Sequence, residues 1–235
     1  MMDTGTIGFI RVRNGVTLRA SPAREPAFNV VTDQAQMHKA PDGTAESFRE
    51  QLHSNVNEEM QSLEIAAQSL VDFPDEPWEI RLCLARQCWD EARHAWLFFN
   101  RLVELGGFKG EFPVINQEWG VVCVFDSLAA RLAIQNRVFE GGSLDVFAES
   151  ARVWASMGDH KTADIMDAVL VDEIRHSHFA NEWLEDLGRT QPRHLLKAIA
   201  AMSTLQSMAR DLRPPEQVMD HDIPVNEKDR RHAGF

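Results

Sequence analysis

An all-α fold is predicted for this 235-residue chain: a four-helix bundle over residues 44–190, an extra C-terminal helix, and a short N-terminal β-hairpin. Three observations predict it. Long stretches carry apolar residues at helical spacing between Pro and Gly breakers. The run Asp90-Glu91-Ala92-Arg93-His94 returns as Asp172-Glu173-Ile174-Arg175-His176. The likeness spreads around both copies: at an offset of 81, Glu59, Ser62, Leu63 and Glu64 match Glu140, Ser143, Leu144 and Asp145; at an offset of 82, Leu102, Leu105 and Gly106 match Leu184, Leu187 and Gly188. A period of about 80 residues is too long for a solenoid unit and suits two copies of one helix pair.

Each element follows in order. Phe9, Ile10 and Val12 lead into Asn14-Gly15 and Val16 and Leu18 lead out, the pattern of a two-residue hairpin turn. Residues 21–43, with Pro22, Pro26, Pro41 and Gly43, read as an irregular arm, so 1–43 form a hairpin and arm. The first long helix is expected from Thr44 to Val71, and Asp75 is the expected N-cap of a second that stops at Gly106-Gly107. After a loop over 108–116, a third helix is expected from Gln117–Val121 through Glu140, ended or kinked by Gly141-Gly142, with a short helix over 144–156. Asp159 is the expected N-cap of a fourth helix that ends at Gly188. Residues 191–235 supply a fifth helix, His194–Leu212, and a polar tail.

Residues three apart lie on one helix face, so each repeated motif presents a carboxylate and an imidazole together. Two more carboxylates sit at matched distances, Glu59 32 residues before Glu91 and Glu140 33 before Glu173. Glu59, rather than Glu58, shares its stripe with Leu52, Val56, Leu63 and Ala66. A solvated face explains any one Glu, because Glu is mostly exposed. It does not explain four on apolar stripes, two with His at +3. Four carboxylates in a bundle core repel and are costly to desolvate; two divalent cations cancel that charge. The candidate metal ligands are Glu59, Glu91, His94, Glu140, Glu173 and His176. Mixed oxygen and nitrogen donors suit iron or manganese, whereas closed zinc sites favour Cys and His. Asp90, Arg93, Asp172 and Arg175 are expected to support the ligands, since a ligating His donates its other N–H to a carboxylate or similar group. The remaining histidines fit no ligand position. Trp89, Trp96, Trp154 and Trp183 are expected in the core, and Glu64 is expected to be structural.

The composition excludes some classes. No run approaches 18 apolar residues and the N-terminus lacks a signal sequence, so a cytoplasmic protein is expected. Cys83, Cys88 and Cys123 form no disulfide set or zinc knuckle and are expected as thiols, the first two buried on one helix. A net charge of −12 argues against nucleic acid as partner. Tyrosine is absent beside 13 Phe and 6 Trp.

The doubled Asp-Glu-x-Arg-His with an upstream Glu resembles the ligand signature of bacterial di-iron monooxygenases in the ferritin-like di-iron carboxylate superfamily. Ala130-Arg131-Leu132-Ala133 through Arg137-Val138-Phe139-Glu140, then Gly158-Asp159-His160 and Asp172-Glu173, resembles a bacterial ferritin-like family of unassigned function related to di-iron tRNA hydroxylases. The likeness covers about residues 25–187 and departs at Glu140-Gly141-Gly142, where that family has Glu-Ala-Arg-Gly. The resemblance implies Glu91 and Glu173 as metal bridges, Glu59 and Glu140 as terminal ligands, and one His per metal. It implies two iron ions, with manganese or a mixed pair as alternatives. The expected function is a dioxygen-dependent oxidoreductase of monooxygenase or oxidase type. It would oxidise a small organic molecule, with electrons from a separate donor or the substrate itself, and would form a homo-oligomer, a dimer. Iron oxidation or storage and tRNA hydroxylation are the alternatives.

Overall fold

The computed structural model describes residues 11–13, 15–18, 21–22 and 24–211 and is mostly helical. It divides into two compact units, Met1–Asp126 and Ser127–Phe235.

In the first unit, β1 (Arg11–Arg13) and β2 (Val16–Leu18) pair antiparallel, Val12 opposite Thr17. Phe9, Ile10 and Asn14 lie outside the described residues. The arm is not wholly irregular: β3 (Val30–Val31) pairs in parallel with β4 (Val114–Ile115), and a 3-10 turn covers Gln34–Gln36. The Ile115 carbonyl accepts from the Asn57 and Gln61 amides at 3.1 and 3.3 Å, fastening this strand pair to the first long helix.

Helix α1 (Ala45–Asp72) starts where Thr44 Oγ1 accepts the Ser47 N–H at 3.1 Å. Helix α2 (Trp78–Glu104) is capped by Pro77 rather than by the expected Asp75; proline's missing N–H costs nothing at a helix start. It stops as expected at Gly106, whose φ of +84° allows Gly107 N–H to reach the Leu102 carbonyl at 2.9 Å. The two helices pack along Leu52, Ile65, Leu84 and Phe98, all essentially inaccessible, each contributing about 1.5–3 kcal/mol by burial. Trp89 and Trp96, expected in the core, are instead exposed, and Cys83 and Cys88 are only half-buried. Short α3 (Gln117–Val122) ends this unit.

The expected third helix is thus interrupted after Val122 and resumes in the second unit. There α4 (Leu128–Leu132) runs straight into a π-helical stretch, Ala133–Glu140, and on into α5 (Gly141–Ser156). Gly141-Gly142 does not end the helix; Gly141 has φ −62° and ψ −31°, and the irregularity lies before it as i→i+5 turns. Helix α6 (His160–Thr190) is capped by Asp159, which accepts the Thr162 N–H at 3.0 Å. It runs through Gly188 rather than ending there, and a Cβ at that position would sit 3.1 Å from Leu195. Helix α7 (Pro192–Asp211) covers α4, the π stretch and α6 through Ala129, Ala133, Leu184, Leu187 and Ala198. Trp154 is buried and Trp183 half-buried against this core. Leu212 and the polar tail lie outside the described residues.

Candidate metal centre

Among the described residues, each unit contributes a buried set of two glutamates and a histidine. In the first, Glu59 comes from α1 and Glu91 and His94 from α2, and each offers a ligand atom within 4.8 Å of the others. His94 Nδ1 lies 3.2 Å from Glu59 Oε2 and 3.1 Å from Glu91 Oε2. All three are essentially buried. Adjacent ligands at about 2.1–2.2 Å from an octahedral cation stand about 3 Å apart. These separations are therefore those a bound cation needs, with little rearrangement. Gln87, one turn before Glu91, donates its amide to Glu91 Oε1 at 3.1 Å and leaves Oε2 beside the imidazole. Glu58 is exposed and takes the Ser54 hydroxyl at 2.9 Å, so Glu59 is the inward carboxylate of the two.

In the second unit Glu140 ends the π stretch, and Glu173 and His176 sit one turn apart on α6; their ligand atoms also lie within 4.8 Å of one another, all buried. His176 Nδ1 is 3.6 Å from Glu173 Oε2. The π turns explain how Glu140 is held. Gln135, five residues back, donates to Oε1 at 3.3 Å, and Asn136, four back, donates to Oε2 at 2.9 Å. A regular helix brings neighbours three or four residues away onto one face; the wider π turn also brings the residue five away, so both amides reach one carboxylate. Asn136 is itself fixed, its carbonyl accepting from Ser177 Oγ at 3.0 Å. Each triad bears two carboxylates and one imidazole, a donor set that could hold a divalent ion and whose charge such an ion would neutralise.

The supporting residues divide. Asp90 is fully buried, and Arg86 Nε donates to both its oxygens at 2.9 and 2.8 Å. Arg93 and Asp172 are half-buried, and Arg175 is exposed. Sequence reasoning missed Arg86, Gln87, Gln135, Asn136 and Ser177. The amides Gln87 and Asn136 each lie four residues before a ligand glutamate, a spacing visible in the sequence. Glu64 pairs with Arg24 at 2.5 Å, away from either triad's contacts. His178 is exposed beside Glu182, and His38 binds Glu50.

The first unit also has an open-sided cavity of about 600 Å³ among the arm, α1 and α2, walled by Phe28, Val56, Met60, Trp96 and Phe99, with Arg24 and Lys109 also lining it. Met60, Ala92 and Ala95 line it and adjoin Glu59, Glu91 and His94 in the chain. Among the described residues, no helix is long and apolar enough to cross a membrane.

A family model described as "Protein of unknown function (DUF455)" matches residues 4–235. The chain belongs to this family. No curated protein and no solved structure matches it.

Proposed function

We propose that this DUF455 protein is a ferritin-like, four-helix-bundle oxidoreductase that uses dioxygen at a paired metal centre to oxidise a small organic substrate. In this reading the six side chains of the two triads would hold two iron ions, or manganese in place of one or both. Glu59, Glu91, His94, Glu140, Glu173 and His176 would be the ligands. The observation that carries it is the pair of buried Glu/Glu/His clusters, one in each copy of the internal repeat. Facing carboxylates on paired helices with Glu-x-x-His motifs are the arrangement of di-metal bundles.

Bound together, two redox-active ions supply the oxygen chemistry that side chains lack. The chain's own residues do the rest. Gln87 and Asn136 hold Glu91 and Glu140 in one rotamer, so the ligands are oriented before an ion arrives. Buried Asp90, neutralised by Arg86, supplies a fixed carboxylate next in the chain to Glu91. The open-sided, mainly apolar cavity beside α1 and α2 suits an organic molecule with a large apolar part. No flavin, nicotinamide or Cys-rich cluster motif is evident in the sequence, so a separate reductase or the substrate supplies electrons.

The test is anaerobic loading with Fe(II), removal of excess metal, and exposure to O₂ while oxygen consumption and the optical spectrum are followed. Wild type should consume O₂ in proportion to bound iron, and Glu91→Ala or His176→Ala should not. Loaded protein that leaves O₂ untouched, with or without a reductant, would remove the oxidase reading while leaving metal binding intact.

A further inference from the structure

Helix α2 carries its inner cluster on one face and an uncovered apolar seam on the other. Trp78, Leu82, Trp89, Trp96 and Val103 are 67, 49, 66, 62 and 49% exposed. Ala85 and Ala92, also exposed, and half-buried Phe99 fill the places between. The spacings from 78 to 103 alternate four and three without a break. That is a heptad repeat over the whole helix, with Leu82, Trp89, Trp96 and Val103 at one core position and Trp78, Ala85, Ala92 and Phe99 at the other. The internal repeat gives a control. At the matched offset of 82, α6 has His160, Asp164, Asp167, Val171, Ile174, His178, Asn181 and Glu185. A helix with the same motif and the same role in its pair therefore has no need of the seam.

We infer that this seam pairs with the seam of a second copy of the chain, antiparallel, about a twofold axis passing between positions 90 and 91. In an antiparallel coiled coil each layer joins one core position to the other, and twofold symmetry makes the contacts reciprocal. Centred there, Trp89 meets Ala92 of the second copy, and Trp96 meets its Ala85. Leu82 meets Phe99, and Trp78 meets Val103. Both alanines thus receive a tryptophan, the large-against-small matching that lets layers interdigitate. A parallel pairing would instead stack Trp89 on Trp89 and Ala92 on Ala92, leaving bulges and gaps. Three tryptophans about two-thirds exposed, with their neighbours, present roughly 600–700 Å² per copy. The total of about 1,300 Å² reaches the range of specific interfaces. Flanking Arg86 is already neutralised by Asp90, which limits repulsion across the seam. Ala92, Trp96 and Phe99 also wall the apolar cavity, so pairing would bear on access to it. The inference does not depend on the metal reading.

The full-length protein tests it in two ways. Light scattering should give twice the 26.6 kDa chain mass, and Trp89→Glu should weaken self-association at least 100-fold without loss of helical circular dichroism. The register is tested by the pair Ala85→Cys with Trp96→Cys in a Cys83→Ser, Cys88→Ser background. Within one helix those positions are about 16 Å apart, beyond disulfide reach, so oxidation should give covalent dimer only across the antiparallel seam. Ala85→Cys alone should give none. A chain that stays monomeric at tens of micromolar would overturn the inference. So would a dimer indifferent to Trp89→Glu, or one that Ala85→Cys alone cross-links.

Discussion

Replacing Glu91 by Gln separates a metal site from a buried polar cluster, because the two accounts predict opposite signs. Glu91 is fully buried, with its Oε2 3.1 Å from His94 and its Oε1 held by Gln87. Without metal, the first triad confines two carboxylates in low dielectric, which is unfavourable. The amide keeps the shape and removes one charge, so the melting temperature of chelated Glu91→Gln should equal or exceed that of chelated wild type. Metal reverses the order. An ion held at 100 times its dissociation constant stabilises the fold by about 2.7 kcal/mol. Two such ions should raise the melting temperature of a domain of this size by about 10–20 °C. In Glu91→Gln, which lacks a proposed ligand, most of that rise should vanish. The assay is scanning calorimetry on chelated and anaerobically Fe(II)- or Mn(II)-loaded samples of both proteins. An unchanged metal-induced rise in the variant, or an equal loss of stability with and without metal, would refute the reasoning.

Other outcomes follow from the same contacts. Asn136→Leu should weaken metal binding by about 10–100-fold, measured by competition with a chromophoric chelator, because Glu140 loses its 2.9 Å donor. His53 is desolvated and accepts the Gly110 N–H at 3.0 Å, so burial lowers its pKa against the partial opposition of Glu111. A depressed histidine contributes stability above its unfolded value of about 6.5, lost as pH falls through the folded value. An NMR titration should place the His53 midpoint below that of a free histidine, and the melting temperature should decline from pH 7 into the acid range. Gly110→Ala should destabilise by about 2–4 kcal/mol in urea unfolding, since φ is +82° and a Cβ would lie 2.0 Å from the Ala27 carbonyl oxygen. Asp159→Ala should cost about 1 kcal/mol by removing the α6 cap.

The helical character and both Glu/Glu/His triads were legible because they rest on periodicity and duplication. Apolar stripes identified Glu59 over Glu58, and the repeat located Glu140. What escaped was decided by tertiary context. Gly141-Gly142 reads as a breaker from propensity alone, yet both glycines sit within continuous helix and the irregularity is the π stretch before them. No local pattern announces that stretch; it becomes intelligible only when Gln135 and Asn136 are seen on one carboxylate. Gly188 lies inside α6, where an added Cβ would meet Leu195 at 3.1 Å. Trp89 and Trp96 were assigned to the core on hydrophobicity. Their heptad spacing on the face opposite Glu91 was present in the sequence, but a seam is recognisable only once the inner face is known.

The central claim is that two cations belong among Glu59, Glu91, His94, Glu140, Glu173 and His176, and metal stoichiometry tests it most directly. Protein reconstituted anaerobically with Fe(II), desalted and analysed by mass spectrometry for metals should hold two ions per chain. Glu91→Ala should hold far fewer. A wild-type chain that retains no transition metal after loading, or that loses none on substitution of Glu91, would contradict the account.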